Sequence, residues 1–180
     1  MPIKRKSKAR KIVIDTNVAV NANKAIREAS ISLDDLACVE RCIDVIDEVV
    51  KHGGLVIDAG DEIFEEYRKN LSLKGMPGMG DRFMKWVHDK RWSFPAEDRV
   101  TLSPNQGCYL EFPSHDGLSS FDPSDRKFVA VAYAHPEKPC ILEATDSKWW
   151  GMKDVLADVG IRVEFICEAW IKRKYESKFE

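Results

Sequence analysis

The chain has 180 residues, of which 44% are hydrophobic and 32% charged, and its net charge is −2. This length suits one domain, and the apolar content excludes a disordered chain. Residues 1–11 contain six basic side chains and no acid, so the other 169 residues carry 22 basic and 30 acidic side chains, a net charge of −8. We therefore expect a basic arm over 1–11, solvated or able to bind phosphates, and one acidic domain over 12–180.

Membrane segments and cross-links are not indicated by the sequence. No apolar run approaches the ~20 residues of a membrane-spanning helix, and the N-terminus lacks the apolar stretch of a signal peptide. We therefore expect a soluble, cytoplasmic protein. The five cysteines form no CxxC pair, which argues against a disulfide framework and a zinc site. Cys38 and Cys42 are expected to be buried thiols on one face of a helix.

The predicted elements alternate between strands and helices in chain order. Continuous apolar runs predict buried strands, and apolar residues recurring at three or four positions predict the helices between them. The elements are a strand at 12–14, helices at 18–29 and 34–52, a strand at 55–57, helices at 61–71 and 81–90, short strands at 99–102 and 109–112, a helix at 122–134, a strand at 140–146, a helix at 152–159, a strand at 162–166 and a basic terminal helix. This order predicts an α/β fold with a mostly parallel sheet covered on both faces.

Acidic residues follow three of the predicted strands. Sites in parallel sheets form beyond the C-terminal strand ends, and this rule selects Asp15, Asp58 and Asp146. Taken singly, such residues can be explained as turn or helix caps. In the same way, Asp122 fits an N-cap and Asp125 fits the third position of the next helix, where a negative charge complements the helix dipole.

Together, these acids would repel one another at one sheet edge unless a cation neutralises them. Oxygen ligands without histidine or cysteine suit Mg²⁺ or Mn²⁺. Such a cluster typically serves metal-dependent hydrolysis of a phosphodiester bond.

The acidic motifs resemble those of PIN-domain nucleases, in the same order along the chain. The motif residues are VIDTNV at 13–18, IFEEYR at 63–68, DPSDRKFVAVA at 122–132 and TD at 145–146. The resemblance implies a PIN-like, Rossmann-like three-layer sandwich with a central mostly parallel sheet, and an endoribonuclease that uses one or two Mg²⁺ or Mn²⁺ ions. Many members of this family are toxins of toxin–antitoxin pairs and others process RNA, so an antitoxin partner or a homo-oligomer is also implied.

The resemblance assigns roles to individual residues. It implies that the catalytic and metal-binding acids are Asp15, Glu66, Asp125 and Asp146. It also implies that the acids are oriented by Asn17 and Thr145. Where many relatives carry a further acid, this chain has Lys148, and we expect Lys148 and Lys127 to attract the RNA backbone. The stretch at about 72–121 is longer than in a minimal member and is treated as an insertion.

The helical pattern selects Glu66 among three glutamates independently of the resemblance. At about 100° per residue, Glu66 lies nearer to the apolar stripe of its helix than Glu62 or Glu65. Two alternatives to the nuclease remain open. One is a non-catalytic PIN-like module that binds RNA or protein, and the other is a phosphotransfer domain phosphorylated on Asp15 or Asp58.

Overall fold

The computed structural model describes residues 9–24, 32–74 and 78–179. Within these ranges helices and short strands alternate, which confirms the predicted α/β class. The helices are α1 (Thr16–Asn21), α2 (Leu33–His52), α3 (Glu62–Asn70), α4 (Met79–Lys90), α5 (Arg126–Ala134), α6 (Ser147–Asp158) and α7 (Glu168–Phe179). The strands are β1 (Ile12–Ile14), β2 (Ile57–Asp58), β3 (Arg99–Val100), β4 (Pro104–Asn105), β5 (Cys108–Tyr109), β6 (Cys140–Glu143) and β7 (Val163–Phe165).

A parallel sheet forms the centre of the described structure. Strands β1, β6 and β7 pair in that order, and β2 pairs with β3, in both cases in parallel. A single parallel bridge between Ile12 and Leu55 joins β1 to the chain just before β2. The strand order is therefore β3-β2-β1-β6-β7. Because β1 and β6 are parallel neighbours with Ile14 opposite Leu142, the residues that follow both strands meet at one edge.

Several helix ends differ from the predicted ones for identifiable reasons. Helix α2 begins one residue early because Ser32 accepts a hydrogen bond from the N–H of Asp35 (3.1 Å), and it ends at Gly53, whose φ of 77° favours glycine. Helix α6 begins five residues before the predicted position, because Asp146 accepts from the N–H of Lys148 (2.9 Å) and caps it. Helix α1 begins two residues before the predicted position 18 and ends at Asn21, and residues 25–29 of the predicted helix lie outside the described ranges.

Asp58 has a structural role at the end of β2. Its two carboxylate oxygens accept the backbone N–H groups of Glu62 and Ile63, each at 2.8 Å, so that it caps α3. Asp61 was expected to open this helix, but it adopts a left-handed conformation with φ of 65°, and its carboxylate pairs with Arg91 (3.0 Å). Since Asp58 is 1% exposed and both of its oxygens are engaged, the geometry disfavours Asp58 as a phosphate acceptor.

The end of the predicted basic arm is part of the folded structure. The ammonium group of Lys11 pairs with the buried Asp98, and only 9% of the Lys11 side chain is exposed. Arg10 pairs with Glu164 at 2.7 Å. The expectation of a solvated or phosphate-binding arm is therefore wrong for Lys11, while residues 1–8 lie outside the described ranges.

The stretch at 72–121 contributes to the core rather than forming a separate unit. Helix α4 packs on α1 and α2, and Gly80 allows this approach because a Cβ there would lie 2.0 Å from the carbonyl oxygen of Ala19. After α4 the chain is irregular, with three short 3-10 turns and the β4–β5 hairpin, as the prolines predicted. No helix in the described ranges is both long and apolar enough to cross a membrane.

Candidate metal-binding site

Asp15 lies at the centre of the acidic cluster, directly after β1. Its Oδ1 accepts the backbone N–H of Asn17 (2.9 Å), and the residue is 4% exposed. Burial, together with the charges of Asp125 and Asp146, raises the pKa of Asp15 to about 7. The turn-capping explanation is therefore correct for one oxygen, but capping does not account for two further carboxylates close to this side chain.

Glu143 is a buried carboxylate that the sequence analysis did not select. It is the last residue of β6 and is fully buried. Its Oε1 accepts from the side-chain amide of Asn17 (2.6 Å) and from the backbone N–H of Asp146 (2.8 Å). Burial and the charge of Asp15 raise its pKa well above the ordinary value. The sequence did contain a signal, namely an acid at the end of an otherwise apolar strand. Burying such a carboxylate is costly unless it has a hydrogen-bonding partner or binds a metal ion.

Asn17 holds the two strand ends together. While its amide nitrogen donates to Glu143, its Oδ1 accepts the backbone N–H groups of Ala144 (3.0 Å) and Thr145 (3.4 Å). The predicted orienting role of Asn17 thus has a geometric basis, through Glu143. Among the described residues, the Thr145 hydroxyl forms no hydrogen bond with an acid; it accepts from the side chain of Asn21 (2.9 Å), an asparagine that the sequence did not single out.

Asp125 reaches the cluster from the turn before α5. The predicted helix start at Asp122 is wrong, because residues 122–125 form a turn in which Asp122 Oδ1 accepts the N–H of Ser124 (3.0 Å). Asp125 makes no side-chain capping bond to α5. Burial, followed by the charges of Asp122 and Asp146, raises its pKa to about 6. Asp125 therefore directly precedes α5 instead of occupying its third position, and its carboxylate is close enough to Asp15 to raise the pKa of that residue.

Glu66 joins the site through a buried lysine. Its Oε2 lies 3.2 Å from Nζ of Lys127, which is 7% exposed and also donates to the carbonyl oxygen of Ser124. The charge of Lys127 also lowers the pKa of Asp125, so this ammonium group interacts with both acids. By contrast, Glu65 pairs with Arg68 at 3.0 Å on the exposed side of α3. The structure thus brings Glu66 toward the cluster and Glu65 away from it.

The two lysines predicted to bind substrate have different surroundings. Lys127 is buried and paired with Glu66, so it neutralises the cluster from inside. Lys148 is exposed and pairs with Asp122 at 2.8 Å, on the rim of the site. This pair and the hydrogen bonds of Ser124 lower the pKa of Asp122 to about 2. Only Lys148 of the two is therefore placed to meet an incoming phosphate.

The donor set of the cluster fits a hard divalent cation. All of its donors are carboxylate oxygens, and Oε2 of the fully buried Glu143 has no hydrogen-bond partner in the described part of the chain. The raised pKa values of Asp15 and Asp125 reflect burial and mutual repulsion, which a cation would relieve. Among the described residues, however, no three carboxylates bring their oxygens within 4.8 Å of one another. This open arrangement suits an ion that keeps several of its waters, as Mg²⁺ usually does.

The only group of potential ligands in the described ranges that does lie within 4.8 Å consists of Cys38, Cys42 and Cys167. Cys38 and Cys167 form a disulfide, so the prediction of no disulfide is wrong. The two cysteines are 129 residues apart, and no local spacing could indicate the pairing. Cys42 keeps its thiol; burial, and secondarily the charge of Glu143, raise its pKa to about 12. Both helix cysteines are buried, as expected, but only one is a thiol.

Comparison of the chain with family models, with curated proteins and with solved structures found no match.

Proposed function

We propose that this protein is a divalent-metal-dependent endoribonuclease of the PIN type. The observation that carries the proposal is the convergence of carboxylates from separate segments on Asp15: Asp125 from the turn before α5, and Glu143 and Asp146 from the end of β6. Burial, and the charges of Asp125 and Asp146, raise the pKa of Asp15 to about 7. Burying so many acids costs stability, and a bound cation would offset that cost.

The resident ion would be held by Asp15, Asp125 and Asp146. Glu143 and Glu66 lie beside these three acids and could supply further carboxylate oxygens. Mg²⁺ or Mn²⁺ bound there would lower the pKa of a coordinated water and stabilise the charge that develops on the phosphate. The chain itself supplies the orientation. Asn17 fixes the carboxylate of Glu143, and the backbone N–H of Lys148 fixes that of Asp146.

Lysine side chains around the cluster would attract RNA to this acidic edge of the sheet. Lys148 is exposed beside Asp122, and the pKa of Lys174 on α7 is lowered by burial and by neighbouring Lys178. Asp146 acts on the pKa values of both Lys148 and Lys174, which places these two lysines close to the cluster. Positive charges at the rim attract the phosphate backbone and reduce its repulsion from the carboxylates.

The test is cleavage of end-labelled single-stranded RNA by purified protein with Mn²⁺ or Mg²⁺ and with a chelator. We expect cleavage only with metal, and a loss of at least about a hundredfold in Asp15→Asn, as expected when a charge-stabilising group is removed. Asp154→Asn is the matched control, since the Asp154 side chain is 88% exposed and, within the described part of the chain, pairs with its neighbour Lys153. RNA binding without cleavage under all of these conditions would favour a non-catalytic RNA-binding module instead.

A further inference from the structure

A cavity of about 390 Å³ adjoins the acidic cluster. It shares Asp125 with the cluster, and the rim residues Asp122 and Lys148 also line it. The remaining walls are formed mainly by apolar and aromatic side chains. These are Phe121, Pro123, Trp149, Met152 and Tyr175. A cavity of this size with apolar walls and a few polar groups is typical of a site for a small flat ligand.

We propose that this cavity binds one unpaired nucleobase of the RNA substrate, beside the phosphate that faces the carboxylates. This base site rests on the proposed function, and the fit of the base in the cavity would help to determine which RNA is bound. Single-stranded RNA is recognised chiefly through bases that leave the stack and pack on aromatic side chains. Because Asp125 belongs to both the cavity and the cluster, a nucleotide could place its phosphate at one and its base in the other.

The polar groups of the cavity also suit a nucleobase. Asp122 is ionised, with its pKa lowered to about 2, and can accept from an exocyclic amino group. Lys148 holds that carboxylate at the cavity wall through its 2.8 Å contact. A lipid or an apolar peptide side chain would make no use of these groups.

A mutation at Gly151 can change the position of the Tyr175 ring in the cavity wall. The ring of Tyr175 lies so close to α6 that a Cβ on Gly151 would come within 2.8 Å of its Cε2 atom. Gly151→Ala would therefore displace the ring while favouring the helix, because alanine has the higher helix propensity. This variant separates a loss of base binding from a loss of folding.

The test measures binding of nucleoside 5′-monophosphates and of ribose 5-phosphate to the metal-free protein, by NMR titration of the Trp149 indole signal. We expect at least one nucleotide to bind about tenfold more tightly than ribose 5-phosphate, which lacks the base. Tyr175→Ala should abolish that difference, and Gly151→Ala should reduce it without lowering the Tm. Trp92→Ala, which removes an aromatic side chain that is 61% exposed and does not line the cavity, should change nothing.

The outcomes separate this inference from the nuclease proposal. Equal affinity for nucleotides and ribose 5-phosphate, or unchanged nucleotide binding in Tyr175→Ala, would overturn the base site even if the protein cleaves RNA. Base-dependent binding that needs Tyr175, in a protein that cleaves no RNA, would support the cavity assignment and reject the catalytic proposal.

Discussion

The side-chain amide of Asn17 donates a 2.6 Å hydrogen bond to the buried carboxylate of Glu143, across 126 residues of sequence. This bond joins the first turn of α1, directly after Asp15, to the end of β6, three residues before Asp146. Asn17 also accepts the backbone N–H groups of Ala144 and Thr145, which directly follow β6. The side chain of Asn17 therefore adds to the β1–β6 pairing in fixing the relative position of Asp15 and Asp146.

Replacing Asn17 by alanine should lower both stability and activity. The change leaves Glu143 without one donor and two backbone N–H groups without their acceptor, and an unsatisfied buried group costs about 1–3 kcal/mol. We expect a lower urea midpoint and a loss of RNA cleavage larger than the loss of folded protein. Asn105→Ala is the control, because Asn105 lies exposed in the β4–β5 hairpin. An unchanged midpoint in Asn17→Ala would contradict the orienting role.

The metal-free protein should lose stability through Asp15 as the pH rises. Its carboxyl has an ordinary pKa of 3.8 and a folded pKa of about 7, so the folded state binds the proton more tightly. The stabilisation of the folded state by this proton is fully present below about pH 4 and is lost by about pH 7. Asp125, whose folded pKa is about 6, causes a similar loss of stability up to about pH 6.

The measurement is urea unfolding of wild type and Asp15→Asn with a chelator, from pH 4 to pH 8. The wild-type free energy of unfolding should fall relative to that of the variant over this range, since asparagine does not titrate. The difference between the two proteins removes the effect of the acids that do not interact with Asp15. A difference that is constant with pH would show that Asp15 is ionised at all of these pH values in the folded state.

Glu66→Gln should strongly reduce cleavage, whereas Glu65→Gln should not. Glu66 lies 3.2 Å from the buried Lys127, and its loss would leave that ammonium group without its acid. Glu65 forms an exposed pair with Arg68, which is worth under about 1 kcal/mol. Kinetics at saturating metal should show Glu65→Gln within about threefold of wild type. If Glu66→Gln is as active as wild type while folded, the second-motif acid has been misassigned.

The disulfide between Cys38 and Cys167 should stabilise the fold. It ties α2 to the turn before α7 and closes a loop of 129 residues, and loops of this size correspond to about 4–5 kcal/mol in chain-entropy terms. Under non-reducing conditions, Cys167→Ser should lower the Tm, and reductant should lower the wild-type Tm to a similar value. Cys108→Ser is the control, because Cys108 is a free cysteine. Wild-type melting that is insensitive to reductant would argue against the bond.

The strand pattern and the positions of the acids could be predicted from sequence because both depend on local signals. A short β-branched run before Asp15 indicates a strand and its C-terminal end wherever the partner strand comes from. The alternation of strands and helices predicts that the strands pair in parallel, although it does not predict that β1 and β6 are neighbours. The assignment of Glu66 and Asp125 to the cluster came from the resemblance of their motifs.

The features that were missed depend on distant partners. In the sequence Glu143 looks like an ordinary strand residue, because the side chain that donates to its carboxylate, that of Asn17, lies 126 residues earlier. Asp122 has the spacing of an N-cap, but the helix starts four residues later, at Arg126. The carboxylate of Asp122 instead forms an ion pair with Lys148. Lys11 reads as part of a solvated arm, although Asp98 in the irregular stretch binds it. No local pattern contains these pairings.

If the carboxylates around Asp15 bind a divalent ion, a Mn²⁺ titration of the purified protein followed by electron paramagnetic resonance will detect the ion itself. We expect one or two bound ions per chain at pH 7.5, loss of that binding in Asp15→Asn, and unchanged binding in Asp154→Asn. Weaker Mn²⁺ binding is expected at pH 5.5, where protons compete for Asp15. Mn²⁺ binding that is absent in wild type, or that is the same in Asp15→Asn, would show that these carboxylates do not form a metal site.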